Sequence, residues 1–285
     1  MKNVVDVNWL YDRLGDQQLR IIDCRFSLQH PNEGRLLYEK EHIPGAVYFD
    51  LEKDLSGKAG KHGGRHPLPQ QDQLKELLEK AGIDHATTVI AYDGGEGAFA
   101  SRCWWLLRYF GHDKVYVLDG GIRKWKENGY LLDHVIPAVK EKTFIPMIQE
   151  NMIINHEGIQ DIVQGKTMAT LIDSRAKERY AGIQEPIDRV PGHIPGAVNK
   201  DWVEGLKDGL FLSGEKQEER FSDFSKTTPL IVYCGSGITA TPNVLALEEA
   251  GYTNVKLYPG SYSDWISYEE NEIETGEIAG SQDKG

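Results

Sequence analysis

Short apolar runs alternate with stretches of helical periodicity along the chain. In the second half, Asn155 is placed to cap a helix whose apolar positions Ile159, Ile162 and Val163 fall on one face. Ala169 to Asp173 then reads as a buried strand, Leu230 to Tyr233 as another, and Val255 to Tyr258 as a third. Between the last two, Pro242 to Ala250 predicts a helix stopped by Gly251. In the first half, Phe99, Cys103, Leu106, Leu107 and Phe110 mark the packing face of a helix that also carries Trp104 and Trp105. Strand and helix in alternation predict a mainly parallel sheet with helices on both faces, an α/β fold.

The pattern occurs twice. Ile21-Ile22-Asp23-Cys24-Arg25 returns as Leu171-Ile172-Asp173-Ser174-Arg175, and His42 to Val47 returns unchanged as His193 to Val198. Val89-Ile90-Ala91-Tyr92-Asp93-Gly94 answers Leu230-Ile231-Val232-Tyr233-Cys234-Gly235, and Leu118 to Gly121 with Trp125 answers Tyr258 to Ser261 with Trp265. A period of about 140–150 residues is domain-sized, so the chain reads as a tandem duplication rather than a solenoid. The expected layout is a first domain over 1–135, a linker over 136–152 containing Pro137 and Pro146, and a second domain over 153–285. A polar, Gly-rich tail begins at Gly276. Copies that bury each other's faces predict a monomer. Asp23, Asp173, His42 and His193 recur in both copies, which points to structural roles in turns.

Composition excludes some partners. With 40% hydrophobic and 27% charged residues, the chain can build ordinary soluble cores. Its 44 acidic and 32 basic side chains leave a net charge of −12, which repels a phosphate backbone, so no nucleic-acid partner is expected. No apolar run is long enough to span a membrane, and Met1 to Asp6 does not resemble the start of a leader peptide. The three cysteines have no framework spacing, and no Cys/His cluster is spaced for zinc. A reducing, cytoplasmic setting is expected, with no metal or organic cofactor.

The candidate chemistry lies in Tyr233-Cys234-Gly235-Ser236-Gly237-Ile238-Thr239-Ala240-Thr241-Pro242. A cysteine at the carboxyl end of a buried strand stands where open parallel sheets place their sites. Gly235 and Gly237 allow unusual backbone angles, so the amides of Gly235, Gly237, Ile238 and Thr239 can curl around one point. The following helix adds the positive end of its dipole, and the sulfur is expected to be a thiolate. Asp93 holds the equivalent place in copy one and cannot be a sulfur nucleophile. Copy two is therefore the expected active half.

These motifs resemble the rhodanese superfamily and its tandem-domain sulfurtransferases, over nearly the whole chain. The resemblance rests on the Asp-x-Arg strand ends, both His-Ile-Pro-Gly-Ala-Val segments and the Cys-Gly-Ser-Gly-Ile-Thr-Ala loop. Within that family a Cys-Gly-Ser-Gly-Val-Thr loop goes with 3-mercaptopyruvate as donor, whereas thiosulfate-preferring members carry Arg and Lys after the cysteine. Thiosulfate is a compact dianion that benefits from cations beside the attacked sulfur; mercaptopyruvate carries one carboxylate farther away.

The resemblance implies that Arg179 grips the donor's anionic end, a role suited to a bidentate guanidinium. A second family arginine follows a Glu-Pro pair; here Ile187-Asp188 follow Glu185-Pro186, and Arg189 is the candidate. It further implies a relay of Ser236, His66 and an acid, with Glu52 aligned to that acid and Asp54 as competitor. The implied reaction is a double displacement. Cys234 takes sulfur from mercaptopyruvate or thiosulfate and passes it to a thiol, a thioredoxin-like protein or cyanide. A cysteine phosphatase would need an arginine six positions after Cys234, where Ala240 stands. A pure binding module would have lost the cysteine, as copy one has and copy two has not.

Overall fold

In the computed structural model, which describes residues 1–276, the duplication appears as two sheets of one topology. Residues 277–285, most of the expected tail, lie outside the described residues. Copy one contains β1 (Val4–Val5), β2 (Leu19–Asp23), β3 (Ala46–Tyr48), β4 (Thr88–Tyr92) and β5 (Val115–Leu118), all parallel, in the order β1-β5-β4-β2-β3. Copy two contains β6 (Thr170–Asp173), β7 (Val198–Asn199), β8 (Leu206–Lys207), β9 (Leu210–Phe211), β10 (Leu230–Tyr233) and β11 (Val255–Leu257). Its parallel sheet runs β11-β10-β6-β7, and a bridge from Ile153 to Leu257 stands where β1 stands in copy one. β8 and β9 form a separate antiparallel hairpin.

The helices of copy one are α1 (Val7–Tyr11), α2 (Glu33–Lys40), α3 (Gln71–Lys80), α4 (Ala98–Tyr109) and α5 (Gly121–Glu127). Those of copy two are α6 (His156–Val163), α7 (Lys177–Tyr180), α8 (Gly214–Arg220), α9 (Thr241–Glu249) and α10 (Ser261–Trp265). The predicted signals act as chemistry requires. Asn155 caps α6 through the Gly158 N–H at 3.0 Å, and Gly251, at φ +85°, stops α9. Asp23 and Asp173 each bind the backbone N–H and the guanidinium of the arginine two residues on. His42 and His193 bond the carbonyls of Tyr38 and Tyr180 through Nδ1, each at 2.7 Å. All four are turn and core groups.

One expectation needs enlarging. α4 is not amphipathic: its residues from Ala98 to Leu107 are all buried, Arg102 included. It lies between its own sheet and α9 of the other copy, so one continuous apolar core runs from Ile22 and Val89 through Trp104 and Trp105 to Val232 and Val244. The linker is not a free connector either. Phe144 is buried, and the N–H groups of Met147 and Gln149 bond Phe110 and Tyr109 carbonyls at 3.0 and 2.8 Å, which straps the segment along copy one.

Each copy also covers the other's loop. The segment around Gly63 to Leu68 lies on copy two, with Gly63 N–H on Asp264 Oδ1 and Arg65 N–H on Ser263 Oγ. In return the β8–β9 hairpin lies on copy one, with Phe211 N–H on Asp119 Oδ1 and its ring against Gly97. A shared core predicts one cooperative unfolding transition for both copies. Trp104→Ala should cost about 3–5 kcal/mol and move far-UV dichroism and tryptophan fluorescence together in urea. Two separated transitions would show that the copies unfold independently.

Candidate active site

Cys234 follows β10 directly, and the loop after it is pinned by the first turn of α10. Cys234 N–H donates to Ser261 Oγ at 3.1 Å, while Cys234 and Gly235 carbonyls accept the N–H groups of Tyr262 and Ser263, each at 2.9 Å. The Gly237 N–H donates to the Cys234 sulfur at 3.2 Å. Gly237 sits at φ +80°, and a Cβ there would come within 2.2 Å of the Pro259 carbonyl oxygen, so only glycine fits. Gly235 is different from expectation: its backbone is unexceptional and its requirement is for space. Ile238 packs into the shared core and its carbonyl caps Thr241, while Thr239 is half-buried at the turn into α9.

The twin loop in copy one is instructive. Asp93 is buried, and its two carboxylate oxygens accept four backbone N–H bonds, from Gly95, Gly97, Phe99 and Ala100, at 3.0–3.1 Å. Burial pushes this carboxyl up from its ordinary range, and the four amides pull it down. The strand–loop–helix unit thus converges amides on an acceptor at its centre.

His66, from copy one, meets Ser236 of the loop, Nδ1 to Oγ at 2.8 Å. Glu52, expected as the acid behind this pair, is exposed, and its backbone N–H caps onto Asp50. Asp50 is spent on that same turn, and Asp54 accepts the Asp50 N–H. Among the described residues no carboxylate bonds His66, because the acidic turn closes on itself. What fixes the histidine instead is Arg102, which bonds the carbonyls of His66 and Pro67.

Arg179 stands beside the loop. A side chain at position 235 would begin 3.3 Å from Arg179 Nη2 and 2.9 Å from Arg65 Nη2. Both guanidiniums bond the buried carboxylate of Asp188, and Arg179 also bonds Glu185 at 2.9 Å. Glu185 in turn pairs with Arg175. Arg65, Glu185 and Asp188 thus belong to the site although the sequence reading passed over them. Arg189 is not in this clasp. It is exposed, bonds the Ile266 carbonyl, and rims a depression of about 380 Å³ that Lys61, Arg65 and Asp188 also line. Cys234 is 1% exposed, and the clasp lies against Gly235 beside it.

Comparison with known proteins agrees with this architecture. A family model described as "Rhodanese-like domain" matches residues 6–128 and again 156–268. A "Probable 3-mercaptopyruvate sulfurtransferase" of Pseudomonas aeruginosa is 41% identical over 271 residues, covering 93% of this chain and 95% of its own. A "Putative thiosulfate sulfurtransferase SseB" of Mycobacterium tuberculosis is 36% identical over 253 residues, 87% of each chain. The crystal structure of SseA from Escherichia coli, described as a 3-mercaptopyruvate sulfotransferase, superposes with a TM-score of 0.82 at 31% identity, over 92% of this chain and 100% of that one.

The His66 imidazole is held down at about 4, by burial first and then by Arg102 and Arg65, so it is neutral at physiological pH. The unfolded chain gains this proton near pH 6.5, while the folded chain refuses it until about 4. Stability is therefore greatest above pH 6.5 and falls as the pH drops toward 4. At pH 5 the loss from this group should be about 2 kcal/mol. His66→Asn, which can keep a bond to Ser236, should remove that part. Urea unfolding at pH 7 and pH 5 measures the difference; His112, also held at about 4 by burial, remains as background in both proteins.

Proposed function

The chain belongs to the rhodanese family in both of its halves, and from that premise we propose that it is a sulfurtransferase carrying sulfur on Cys234 as a persulfide. The observation that supports the persulfide most directly is in the other copy. Asp93 carries its oxygens two bonds beyond Cβ, the same reach as the outer sulfur of a cysteine persulfide. Four amides meet the carboxylate there. A loop of the same descent around Cys234 is suited to an anion at that depth, with the Gly237 N–H already on the inner sulfur.

The favoured donor is 3-mercaptopyruvate. Asp188 occupies the space between Arg65 and Arg179, so a donor must take over one of those guanidiniums. A donor carboxylate exchanges for the Asp188 carboxylate with no change of charge or fork geometry. Thiosulfate would bring a second negative charge into a network whose arginines are already paired. The rival reading, thiosulfate as donor, has in its favour the basic rim of Lys61, Arg65 and Arg189.

In the first half-reaction the Cys234 thiolate attacks the donor sulfur. The S–S bond forms, the C–S bond breaks, and its electron pair passes into the enolate of pyruvate. The proton that the donor thiol sheds as the persulfide anion forms passes through the Ser236–His66 pair to that enolate, which completes pyruvate. A thiol, a thioredoxin-like protein or cyanide then removes the outer sulfur. The protein would work as a monomer in a reducing cytoplasm, a setting consistent with three free cysteines.

Cys234→Ser should abolish turnover, and donor-treated wild-type protein should gain the mass of one sulfur atom on the Cys234 peptide. Turnover near the wild-type rate in the serine variant would end this reading. The donor is decided by kcat/KM on the two compounds, with mercaptopyruvate expected to be preferred. Asp188→Asn should reduce that preference about tenfold, since lifting one nearby charge favours a dianion over a monoanion by about 1.4 kcal/mol. An unchanged ratio would show that Asp188 does not set donor choice.

A further inference from the structure

Arg102 lies in the middle of α4, fully buried, at the seam between the copies. Among the described residues its guanidinium bonds only carbonyl oxygens: Gly237 of the catalytic loop at 3.1 Å, then His66 at 3.3 Å, Leu55 at 3.4 Å and Pro67 at 3.5 Å. Nε has no partner. An arginine cannot shed its charge as a buried lysine can, and taking a lone cation out of water costs several kcal/mol unless an anion stands nearby.

The carboxylates around the site are engaged elsewhere. Arg65, Arg175 and Arg179 face Asp173, Glu185 and Asp188, three guanidiniums against three carboxylates. On the α10 side, Asp264 accepts from the Tyr258 hydroxyl and the Gly63 N–H, and Tyr262 stacks on Arg175. His66 is neutral. Burial draws the Arg102 guanidinium down to about 10, still charged at neutral pH, and the group acting in the opposite direction is Cys234. The corresponding residue of copy two, nine positions after Cys234 as Arg102 is after Asp93, is Asn243. It is neutral, and its hydrogen bonds stay within copy two, to Ser174, Lys200 and Arg220.

We infer that Arg102 is the counter-charge of the anionic Cys234 sulfur, supplied by the inactive copy across the interface, and that it also positions the loop through the Gly237 carbonyl and the His66 segment through the His66 carbonyl. It is a positioning residue: it touches the loop and not the donor. The inference rests on Cys234 being the reactive sulfur, which persulfide formation on the wild-type protein tests with Arg102 untouched.

The experiment is the pH dependence of iodoacetamide alkylation, read by mass spectrometry on the Cys234 peptide, for wild type, Arg102→Lys, Arg102→Gln and Arg102→Met. Dichroism and a thermal melt establish that each variant is folded. The neutral variants should raise the alkylation midpoint by about one pH unit or more, a loss of about tenfold in reactivity at a fixed pH below it. Arg102→Lys, which keeps the charge but not the fork, should stay near wild type. A purely structural role would move the lysine and neutral variants alike. A folded neutral variant with an unmoved midpoint overturns the inference. If neither neutral variant folds, Arg102→Lys decides: a wild-type midpoint supports the charge, a raised one overturns it.

Discussion

Helix α4 of one copy packs against helix α9 of the other, and the arrangement of the candidate site follows from that contact. Each helix begins at the end of the loop that follows a central strand, so pressing the two together brings the loops of both copies to one seam. There each loop finds itself covered by a segment of its neighbour. The copy-one segment carrying Arg65 and His66 reaches Ser236 and Gly235 only because the core beneath it is shared. A single copy would lack both the cover and the charged groups that come with it.

The seam is also where buried charge concentrates, and the balance there is close. A chain of alternating arginines and carboxylates runs from Arg65 through Asp188, Arg179 and Glu185 to Arg175 and Asp173. Such networks are expensive to break and cheap to rearrange, since one carboxylate can replace another on the same guanidinium. The clasp thus lies against the loop of a buried cysteine with its guanidiniums already engaged by carboxylates.

Much of this was legible in the chain. The strand Leu230–Tyr233 agrees to the residue, because four apolar residues between turn signals leave little freedom. The duplication aligned Asp93 with Cys234, and each directly follows the matching strand of its sheet, β4 and β10. The pairing of His66 with Ser236 came through family resemblance alone, since nothing in spacing links residues 170 apart. The acid behind it did not follow, because Glu52 and Asp50 alternate on one short turn and the buried one is consumed by that turn's own amides. Arg102 was hidden for another reason. Periodicity gives a helix one packing face, and α4 is packed on every face, so an arginine within it reads as a surface residue. The β8–β9 hairpin did leave a signal, Asp208-Gly209 between Leu206-Lys207 and Leu210-Phe211, with φ of +54° and +72° that suit a type I′ turn. It was short enough to pass unread.

The four amides around Asp93 bear on how the two halves can change in future. A cysteine restored at that position would end one bond short of the oxygens it replaced, leaving donors unmet under the aromatic ring of Phe211. Regaining a nucleophile there would require reshaping the loop and lifting its cover together. The difference between the duplicated halves is therefore held in place by packing: a single substitution at Asp93 does not build a second copy of the Cys234 loop.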